Sequence, residues 1–398
     1  MFTFLVNYIM KVMMTLSRGT LSRRSASFLL VTIMTKAVAT FSPDWISPPG
    51  DTILDLLEEH GWKQAELAKR TGYTTKHISL LINGKAPITE DTAIKLERVV
   101  GSTAHFWLSR EAQYREGLVR VAERDSLKFV ADWLKELPLK ELINFGWIRA
   151  FADKGEQVAE CLRFFGVATV DLWRKKYGEP MAAFRSSDKF NKHAGSVAAW
   201  LRQGERSAAT LKTEPYEKSS FKEALGALRA LTREPDPEIF IPKLVEACAK
   251  TGVAVIVEPA PKGCPASGAT LWLSQDKALL MLSLRHKTND HFWFSFFHEA
   301  GHLLRHGKRL RFIEMEGALS NEHEDEANEF ARDWLIPPHY SRSLASMQKT
   351  EVMIRTLADQ LEIAPGIVVG RLQNEGLLQW NTVLNKSLKV RYEWRHEA

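Results

Sequence analysis

Cysteine is scarce in this sequence, and long uninterrupted apolar runs are missing from it. The 398 residues include only three cysteines, Cys161, Cys248 and Cys264, and no two of them form a Cys-x-x-Cys pair. This scarcity argues against a disulfide framework and favours buried, reduced thiols in the cytoplasm. No apolar stretch reaches the ~20 residues of a membrane-spanning helix, so we expect no membrane partner.

Internal repeats and low-complexity tracts are also lacking, and the positive charge is unevenly spread. The net charge is +6, but residues 1–43 alone carry +5 because they contain five Lys or Arg and no acidic residue. The rest of the chain is therefore nearly neutral. Bulk charge cannot support a nucleic-acid function here, and such a function must depend on a motif.

The basic leader at residues 1–43 has some features of an export signal. An apolar run follows Arg23 and Arg24, and Ala37-Val38-Ala39 resembles a signal-peptidase site. We instead expect a disordered leader, or an upstream start codon with the true start at Met34, because the rest of the chain reads as an intracellular protein.

Four regions follow this leader, and a chain of this length is expected to hold two or three domains. Strand-like runs occur in only one of these regions, at Val253–Val257, Ala269–Leu273 and Ala278–Leu284. The predicted organisation is a leader at 1–43, a compact helical domain at 44–116, a helical connector at 117–215, a mixed α and β domain at 216–345 and a helical extension of that domain at 346–398.

The first domain contains the pattern of a helix-turn-helix. Gln64–Arg70 predicts a short amphipathic helix, and Gly72 predicts the break after it. Thr74 is suited to cap a second helix that runs through Ile82. The spacing of three residues is typical of this motif: the small Ala68, then Gly72, then the β-branched core residue Ile78. An ordinary helical hairpin is the alternative interpretation.

The segment Pro49–Tyr114 closely resembles the phage-repressor-like family, in particular its HigA-type antitoxin branch. The matching stretches include Gln64–Ala68 and Leu81–Lys85. The resemblance implies five helices, binding to a double-stranded DNA operator and often a homodimer. The family's contact positions fall on five residues of this chain, Gln64, Thr75, Lys76, Ser79 and Asn83.

Each of these contacts has an expected role. Gln64 would touch a phosphate, Thr75, Lys76 and Ser79 would face base edges in the major groove, and Asn83 would hold the backbone. Between Gly50 and Glu116 nine Lys or Arg stand against ten Asp or Glu. Affinity is therefore expected to be modest and dimer-dependent. A protein-binding adaptor that kept this fold is the competing interpretation.

The segment His298-Glu299-Ala300-Gly301-His302 predicts a metal site. Residues four apart lie on one face of a helix, so His298 and His302 can present imidazole nitrogens to one Zn²⁺. Glu299 is then the expected catalytic residue, because it can take a proton from a metal-bound water.

A third ligand is expected on a second helix about twenty residues further along. On a helical wheel, Glu324 lies about 60° from the centre of the apolar face and Glu326 about 100° from it. Glu324 is therefore the better inward carboxylate, and Asn328 one turn later can orient a ligand. Glu326 and His323 remain alternatives.

Residues 216–385 look like the ImmA/IrrE family of metallo-endopeptidases. The matching stretches include Gly268-Ala269-Thr270, the His298–His302 motif and Glu324–Ala331. Arg305 departs from the family pattern, which has an apolar residue there. The resemblance implies a glutamate-zincin with a strand-edged cleft for an extended peptide. The whole chain is then α+β and mainly α, with a five-helix domain, a helical connector and a zincin-like domain that has a small β-sheet.

Together these features predict a regulator that binds DNA and carries a zinc-dependent endopeptidase, which cleaves a regulatory protein or itself. Ala278–Leu284 is the candidate edge strand for substrate pairing. The residue that stabilises the oxyanion stays open among His306, His323 and Tyr340. A non-catalytic antitoxin or repressor, whose zinc-like domain binds only a partner such as a toxin, or an effector, is the alternative.

Overall fold

A computed structural model describes residues 46–178, 194–306 and 322–393, together with the strand at 312–315. The predicted leader at 1–43 lies outside the described residues. The chain divides into two compact units, one ending at Val121 and the other beginning at Ala122. In the described part of the chain, no helix has both the length and the apolar character that a membrane span requires.

The described part of the N-terminal unit contains the five predicted helices, and the last of them continues past Val121. They are α1 (Pro49–Glu59), α2 (Gln64–Thr71), α3 (Thr75–Ile82), α4 (Glu90–Val100) and α5 (Ala104–Leu127). Their apolar faces meet in one core that includes Leu67, Ile78 and Trp107. Helix α5 continues past residue 116, where we placed a domain limit, so that limit lies inside a helix.

The turn between α2 and α3 follows the predicted chemistry. Gly72 ends α2 in the left-handed conformation, with φ of 76°, which costs glycine little because it has no Cβ. Thr74 then caps α3, and its hydroxyl accepts a hydrogen bond from the backbone N–H of His77 at 3.1 Å. The end of α2 and the start of α3 therefore follow from residues within the turn itself.

The second unit begins with helices that pack largely around aromatic side chains. Trp133, Phe165 and Trp173 lie in one buried cluster. The helices of this part are α6 (Leu139–Asn144), α7 (Lys154–Phe165), α8 (Val170–Trp173), α9 (Ala194–Thr210), α10 (Lys218–Ala230) and α11 (Pro237–Ala249). Short 3-10 turns at Lys128–Glu136 and Leu231–Arg233 and a π turn at Arg174–Gly178 connect them.

One four-stranded sheet follows, formed by β1 (Val253–Val257), β2 (Ala266–Trp272), β3 (Ala278–Leu282) and β4 (Phe312–Met315). The strand order is β1-β3-β2-β4. Strand β3 pairs in parallel with β1 and antiparallel with β2. The prediction that Ala278–Leu284 is an edge strand is therefore wrong, because strands occupy both sides of β3.

Helices cover both faces of this sheet, because alternate residues of each strand point in opposite directions. Val255 and Leu280 face the cluster that contains the next helix, α12 (Asn289–Arg305). Leu279 and Met281 face α9 and its buried Trp200 on the other side. Helix α9, which falls within the predicted connector, thus packs directly against the sheet.

The remaining helices surround α12. They are α13 (Glu322–Leu335), α14 (Ser341–Ser346), α15 (Glu351–Leu361), α16 (Pro365–Asn374) and α17 (Val383–Leu388), with a 3-10 turn at Pro338–Tyr340. The start of α12 is joined to residues near 390. The backbone N–H of Asn289 donates to the carbonyl of Val390 at 2.9 Å, and the Asn289 side-chain oxygen accepts from the Val390 N–H at 3.1 Å.

These elements confirm the predicted mainly α class with one small sheet. The three cysteines are buried core residues, as expected. Burial raises the pKa of the Cys161 thiol and of the Cys264 thiol to about 12. Neither thiol is therefore a reactive thiolate near neutral pH.

The cap of α3 generates a first prediction. Thr74→Ala removes the hydroxyl that accepts from the His77 N–H and should destabilise α3 by about 0.5–2 kcal/mol. Amide hydrogen exchange across Thr75–Ile82 measures this effect. Thr74→Ser keeps the acceptor and should exchange like the wild type, and equal acceleration in both variants would contradict the capping role.

Candidate metal centre and DNA-binding surface

His298 and His302 lie on the buried side of α12, one turn apart. Each is only 1% exposed. The apolar residues on either side of the pair in the sequence, among them Phe297 and Leu303, are also buried. Their Nε2 atoms are 3.0 Å apart. The predicted pairing of two imidazoles on one helix face is therefore present in the structure.

Glu324 on α13 completes the cluster. Its Oε2 lies 3.1 Å from His298 Nε2, and its Oε1 lies 3.5 Å from His302 Nε2. Within the described ranges, these three residues form the group whose candidate ligand atoms all lie within 4.8 Å of one another. Their role as metal ligands stays a prediction, but the helical-wheel choice of Glu324 matches the geometry.

Glu326 and His323, the alternatives to Glu324 as third ligand, contact His306 rather than the pair of His298 and His302. Glu326 Oε2 is 2.9 Å from His306 Nε2, and the His323 ring centroid is 4.5 Å from that of His306. His306 in turn touches the cluster, because its Nδ1 is 2.9 Å from His302 Nδ1. Glu326 and His306, which we considered for other roles, thus form a hydrogen-bonded chain that ends at His302.

Burial and hydrogen bonding fix the charge states of the cluster. Burial lowers the pKa of His302 to about 4, although the hydrogen bond to Glu324 opposes this shift. Burial alone would raise the pKa of Glu324, but hydrogen bonds with His298 and His302 outweigh it and hold that pKa at about 2. At neutral pH, His302 is therefore neutral and Glu324 is ionised, the forms that bind a cation.

Asn328 orients the first histidine. Its Oδ1 lies 3.0 Å from His298 Nδ1. A carbonyl oxygen accepts hydrogen bonds only, so His298 donates its Nδ1–H to Asn328. This is the orienting role that the sequence predicts for Asn328.

A close crossing of α12 and α13 brings the acidic and imidazole groups together. A Cβ on Gly301 would lie 3.1 Å from the Phe330 ring and 3.3 Å from the Cα of Ala327. The glycine inside the His298–His302 motif and the alanine on α13 therefore permit a short distance between the two helix axes.

Glu299 is fully buried and contacts the neighbouring strand β2. The Thr270 hydroxyl donates a hydrogen bond to Glu299 Oε2. Gly268 leaves the space for this carboxylate, because a Cβ there would lie 2.6 Å from Glu299 Oε1. Sequence reasoning assigned no role to either residue, although Gly268-Ala269-Thr270 belongs to the stretches that resemble the ImmA/IrrE family.

A cavity of about 200 Å³ opens beside α12. Phe294 borders it and lies within 6.3 Å of the His298 ring, measured between centroids. The apolar side chains of Leu335 and Ile367 line the cavity, and so does the cationic side chain of Arg332. Phe294 thus lies between the cavity and the His298 ring, and the mainly apolar wall also contains the charged residues Asp290 and Arg371.

Arg305 and Tyr340, two further residues that we considered, each pack against an aromatic ring. The Arg305 guanidinium lies 5.6 Å from the centre of the Phe330 ring, so this departure from the family pattern packs on an aromatic surface. The Tyr340 ring lies against His339, with centroids 4.3 Å apart. The oxyanion role that we considered for His323 and Tyr340 stays open.

Four of the five predicted DNA contacts lie on one side of α3 and its C-cap. At 3.6 residues per turn, Thr75, Lys76, Ser79 and Asn83 fall within an arc of about 100°, away from buried Leu81. Thr75, Lys76 and Asn83 are exposed. Asn83 Nδ2 donates to the carbonyl of Ser79 at 2.7 Å, which orders the end of the helix. Gln64 is half-buried at the first position of α2.

Comparison with known families matches both regions. A family described as helix-turn-helix matches residues 53–107, and a peptidase family described as the IrrE N-terminal-like domain matches residues 248–373. This chain joins a helix-turn-helix domain to an IrrE N-terminal-like domain. The predicted two-family architecture is confirmed, whereas the HigA branch and the individual site residues stay predictions.

The helix-turn-helix domain also has individual relatives. The chain is 38% identical over 61 residues to the uncharacterized HTH-type transcriptional regulator YddM of Escherichia coli (strain K12). The match covers 15% of this chain and 65% of that relative, so the chain spans about two thirds of the length of the relative it matches.

Two solved structures are similar over about a fifth of the chain. A protein described as a putative antidote protein of a plasmid maintenance system, from Nostoc punctiforme, is 26% identical, with 21% of this chain and 92% of that chain covered and a TM-score of 0.21. An addiction module antidote protein of the HigA family from Coxiella burnetii is 25% identical, with 21% and 91% covered and a TM-score of 0.20.

The contact between β2 and Glu299 generates a second prediction. Gly268→Ala forces a Cβ against the Glu299 carboxylate and should lower the free energy of unfolding by about 1–3 kcal/mol. Chemical denaturation of the second unit measures this change. Gly226→Ala is the matched control, because nothing lies within 4 Å of the added Cβ. Equal stabilities for the two variants would contradict the tight fit.

Proposed function

We propose that this protein is a DNA-bound regulator that carries a zinc-dependent endopeptidase, and that it cleaves a regulatory protein or itself. The observation that carries this proposal is the convergence of His298, His302 and Glu324 beside a buried Glu299. The same chain contains a helix-turn-helix domain, which supplies a means of localising the peptidase at an operator.

The donor set fits Zn²⁺. Two imidazole nitrogens and one carboxylate, with room for water or substrate, are the ligands typical of catalytic zinc. Ligand atoms at ~2.0–2.1 Å from a tetrahedral ion are about 3.3 Å from one another. The separations of 3.0, 3.1 and 3.5 Å among His298, His302 and Glu324 are close to that edge length.

Zinc, when bound, supplies a Lewis acid that polarises a peptide carbonyl and makes water more acidic. Glu299 takes the proton of the attacking water and gives it to the departing amine. The hydrogen bond from Thr270 fixes the rotation of the Glu299 carboxylate. Asn328 holds the His298 ring in the tautomer that binds a metal through Nε2.

The substrate is proposed to be an extended peptide. In the part of the chain that the structure describes, β4 is the last strand of the sheet beyond β2, and its outer side is the proposed place for a peptide strand. The cavity beside Phe294 has the size for one side chain, since a space of about 150 Å³ accepts benzene. Its apolar walls favour a hydrophobic residue.

The DNA-binding part of the proposal rests on the exposed face of α3. Lys76 and Thr75 lie at the start of this helix, where side chains reach base edges in other helix-turn-helix proteins. Because the domain has no excess of basic residues, one copy gains little from counterion release. We therefore propose that a homodimer binds the operator.

The metal centre generates a third prediction. The purified protein should bind about one zinc per chain, and Glu324→Gln should lower the zinc affinity. Glu299→Gln should keep the zinc and lower cleavage by about 10²–10⁴-fold, because only the proton acceptor is lost. Metal analysis and a quenched-fluorescent peptide library provide the two readouts.

Glu329→Gln serves as the control, because Glu329 is exposed on the same helix as Glu324. It should change neither readout. A wild-type protein without zinc would contradict the metal centre. Zinc binding without any cleavage of the library, of an operator-bound partner or of the chain itself would favour the non-catalytic antitoxin or repressor.

The exposed face of α3 generates a fourth prediction. Lys76→Ala should weaken binding to the control region of the protein's own gene by about 1–3 kcal/mol, which is the range for a base contact. Fluorescence anisotropy measures this loss, and zinc content should not change. Lys69→Ala removes an exposed cation on α2 instead, and an equal loss in that variant would argue for charge rather than for the α3 contact.

A further inference from the structure

His306 stands at the end of α12, behind the proposed metal ligand His302. Its side chain is only 4% exposed. One ring nitrogen, Nδ1, is 2.9 Å from His302 Nδ1, and the other, Nε2, is 2.9 Å from Glu326 Oε2. His302, His306 and Glu326 therefore form a continuous hydrogen-bonded chain from the cluster towards solvent, where Glu326 is 44% exposed.

Elementary chemistry fixes the protons along this chain once His302 binds zinc. His302 directs Nε2 towards Glu324 and His298, so metal binding at Nε2 leaves the proton of the neutral ring on Nδ1. That proton faces His306 Nδ1 at 2.9 Å, so His306 Nδ1 is the acceptor in this pair. The proton of His306 lies on Nε2 and is donated to the Glu326 carboxylate.

We propose that His306 and Glu326 are positioning residues that hold His302 in its metal-binding tautomer through the chain Glu326–His306–His302. This proposal rests on the zinc centre proposed above. It gives the two histidine ligands different supports, since His298 is held by the neutral amide of Asn328 and His302 by an imidazole joined to a carboxylate.

The same geometry argues against the other roles considered for these residues. Glu326 meets His306 at the nitrogen that faces away from the cluster, so it is one residue removed from the ligand position that Glu324 occupies. The Nε2–H of His306 is engaged with that carboxylate. His306 is therefore a support for His302 and not the donor that stabilises an oxyanion.

Zinc affinity of the full-length protein tests the proposal without any need for cleavage. His306→Ala removes the acceptor for His302 Nδ1–H and should weaken zinc binding by about 10–100-fold, the range for partners of a ligating histidine. His306→Asn should recover part of the loss, because the asparagine Oδ1 occupies the region of Nδ1 and accepts a hydrogen bond. Competition with a chelator of known affinity measures each constant.

Glu326 is tested by a neutral replacement and a matched control. Glu326→Gln keeps an oxygen acceptor but loses the charge, so zinc binding should weaken by less than in His306→Ala. Glu324→Gln, which alters a proposed ligand, should weaken it more than either variant. Glu329→Gln on the same helix should bind zinc like the wild type.

A second readout reports the tautomers directly. Long-range ¹H–¹⁵N correlation spectra of the zinc-loaded protein, with ¹⁵N-labelled histidine, should assign the proton of His306 to Nε2 and that of His302 to Nδ1. The wild type must bind zinc for this measurement, and a wild type that binds none would overturn the zinc centre together with the chain that depends on it.

Other outcomes separate the two proposals. Wild-type zinc binding with unchanged affinity in His306→Ala would overturn the positioning role alone. The same holds if His306→Asn is as weak as His306→Ala and the spectra assign the His306 proton to Nδ1. A Glu326→Gln loss as large as that of Glu324→Gln would instead identify Glu326 as a direct ligand and contradict the chain.

Discussion

The close crossing of α12 and α13 is the contact on which the candidate site depends. Gly301 has no Cβ at the point where the helices meet, and Ala327 faces it with a short side chain. This approach lets the Glu324 carboxylate reach two imidazoles of the other helix at once. Any larger residue at 301 would increase the helix separation and draw the carboxylate away from the histidines.

A polar cluster inside an apolar core carries a large desolvation cost unless each group has a partner. In this site a second polar residue contacts each of His298, His302 and Glu299. Asn328 stands behind His298, His306 stands behind His302, and Thr270 stands beside Glu299. Asn328 and Thr270 belong to a helix and a strand, and His306 is the residue that ends α12, so regular elements and one helix end hold these partners in place.

Local patterns predicted the parts of the protein whose geometry is determined within a few residues. The turn at Gly72 and the cap at Thr74 are of this kind, and so is the spacing of His298 and His302. Glu324 was also predictable, because the apolar face of one helix indicates which carboxylate points inward. Sequence reasoning therefore identified the residues that the structure brings together on α12 and α13.

Long-range pairing was not predictable in the same way. The strand of Ala278–Leu282 is entirely apolar, which indicates burial but does not distinguish a central strand from an edge strand. The contact of Thr270 with Glu299 joins residues that are 29 positions apart. Its existence depends on which strand lies under α12, and no periodicity encodes that choice.

The hydrogen bonds between Asn289 and Val390 bear on the order in which the protein matures during synthesis. Domains generally fold as units, with N-terminal ones first as the chain emerges. Asn289 at the start of α12 can form these hydrogen bonds only after Val390, 101 residues further along the chain, has been synthesised. The helix-turn-helix domain can thus be complete while the histidine helix still lacks this support, so the N-terminal domain can fold on the nascent chain before the candidate site does.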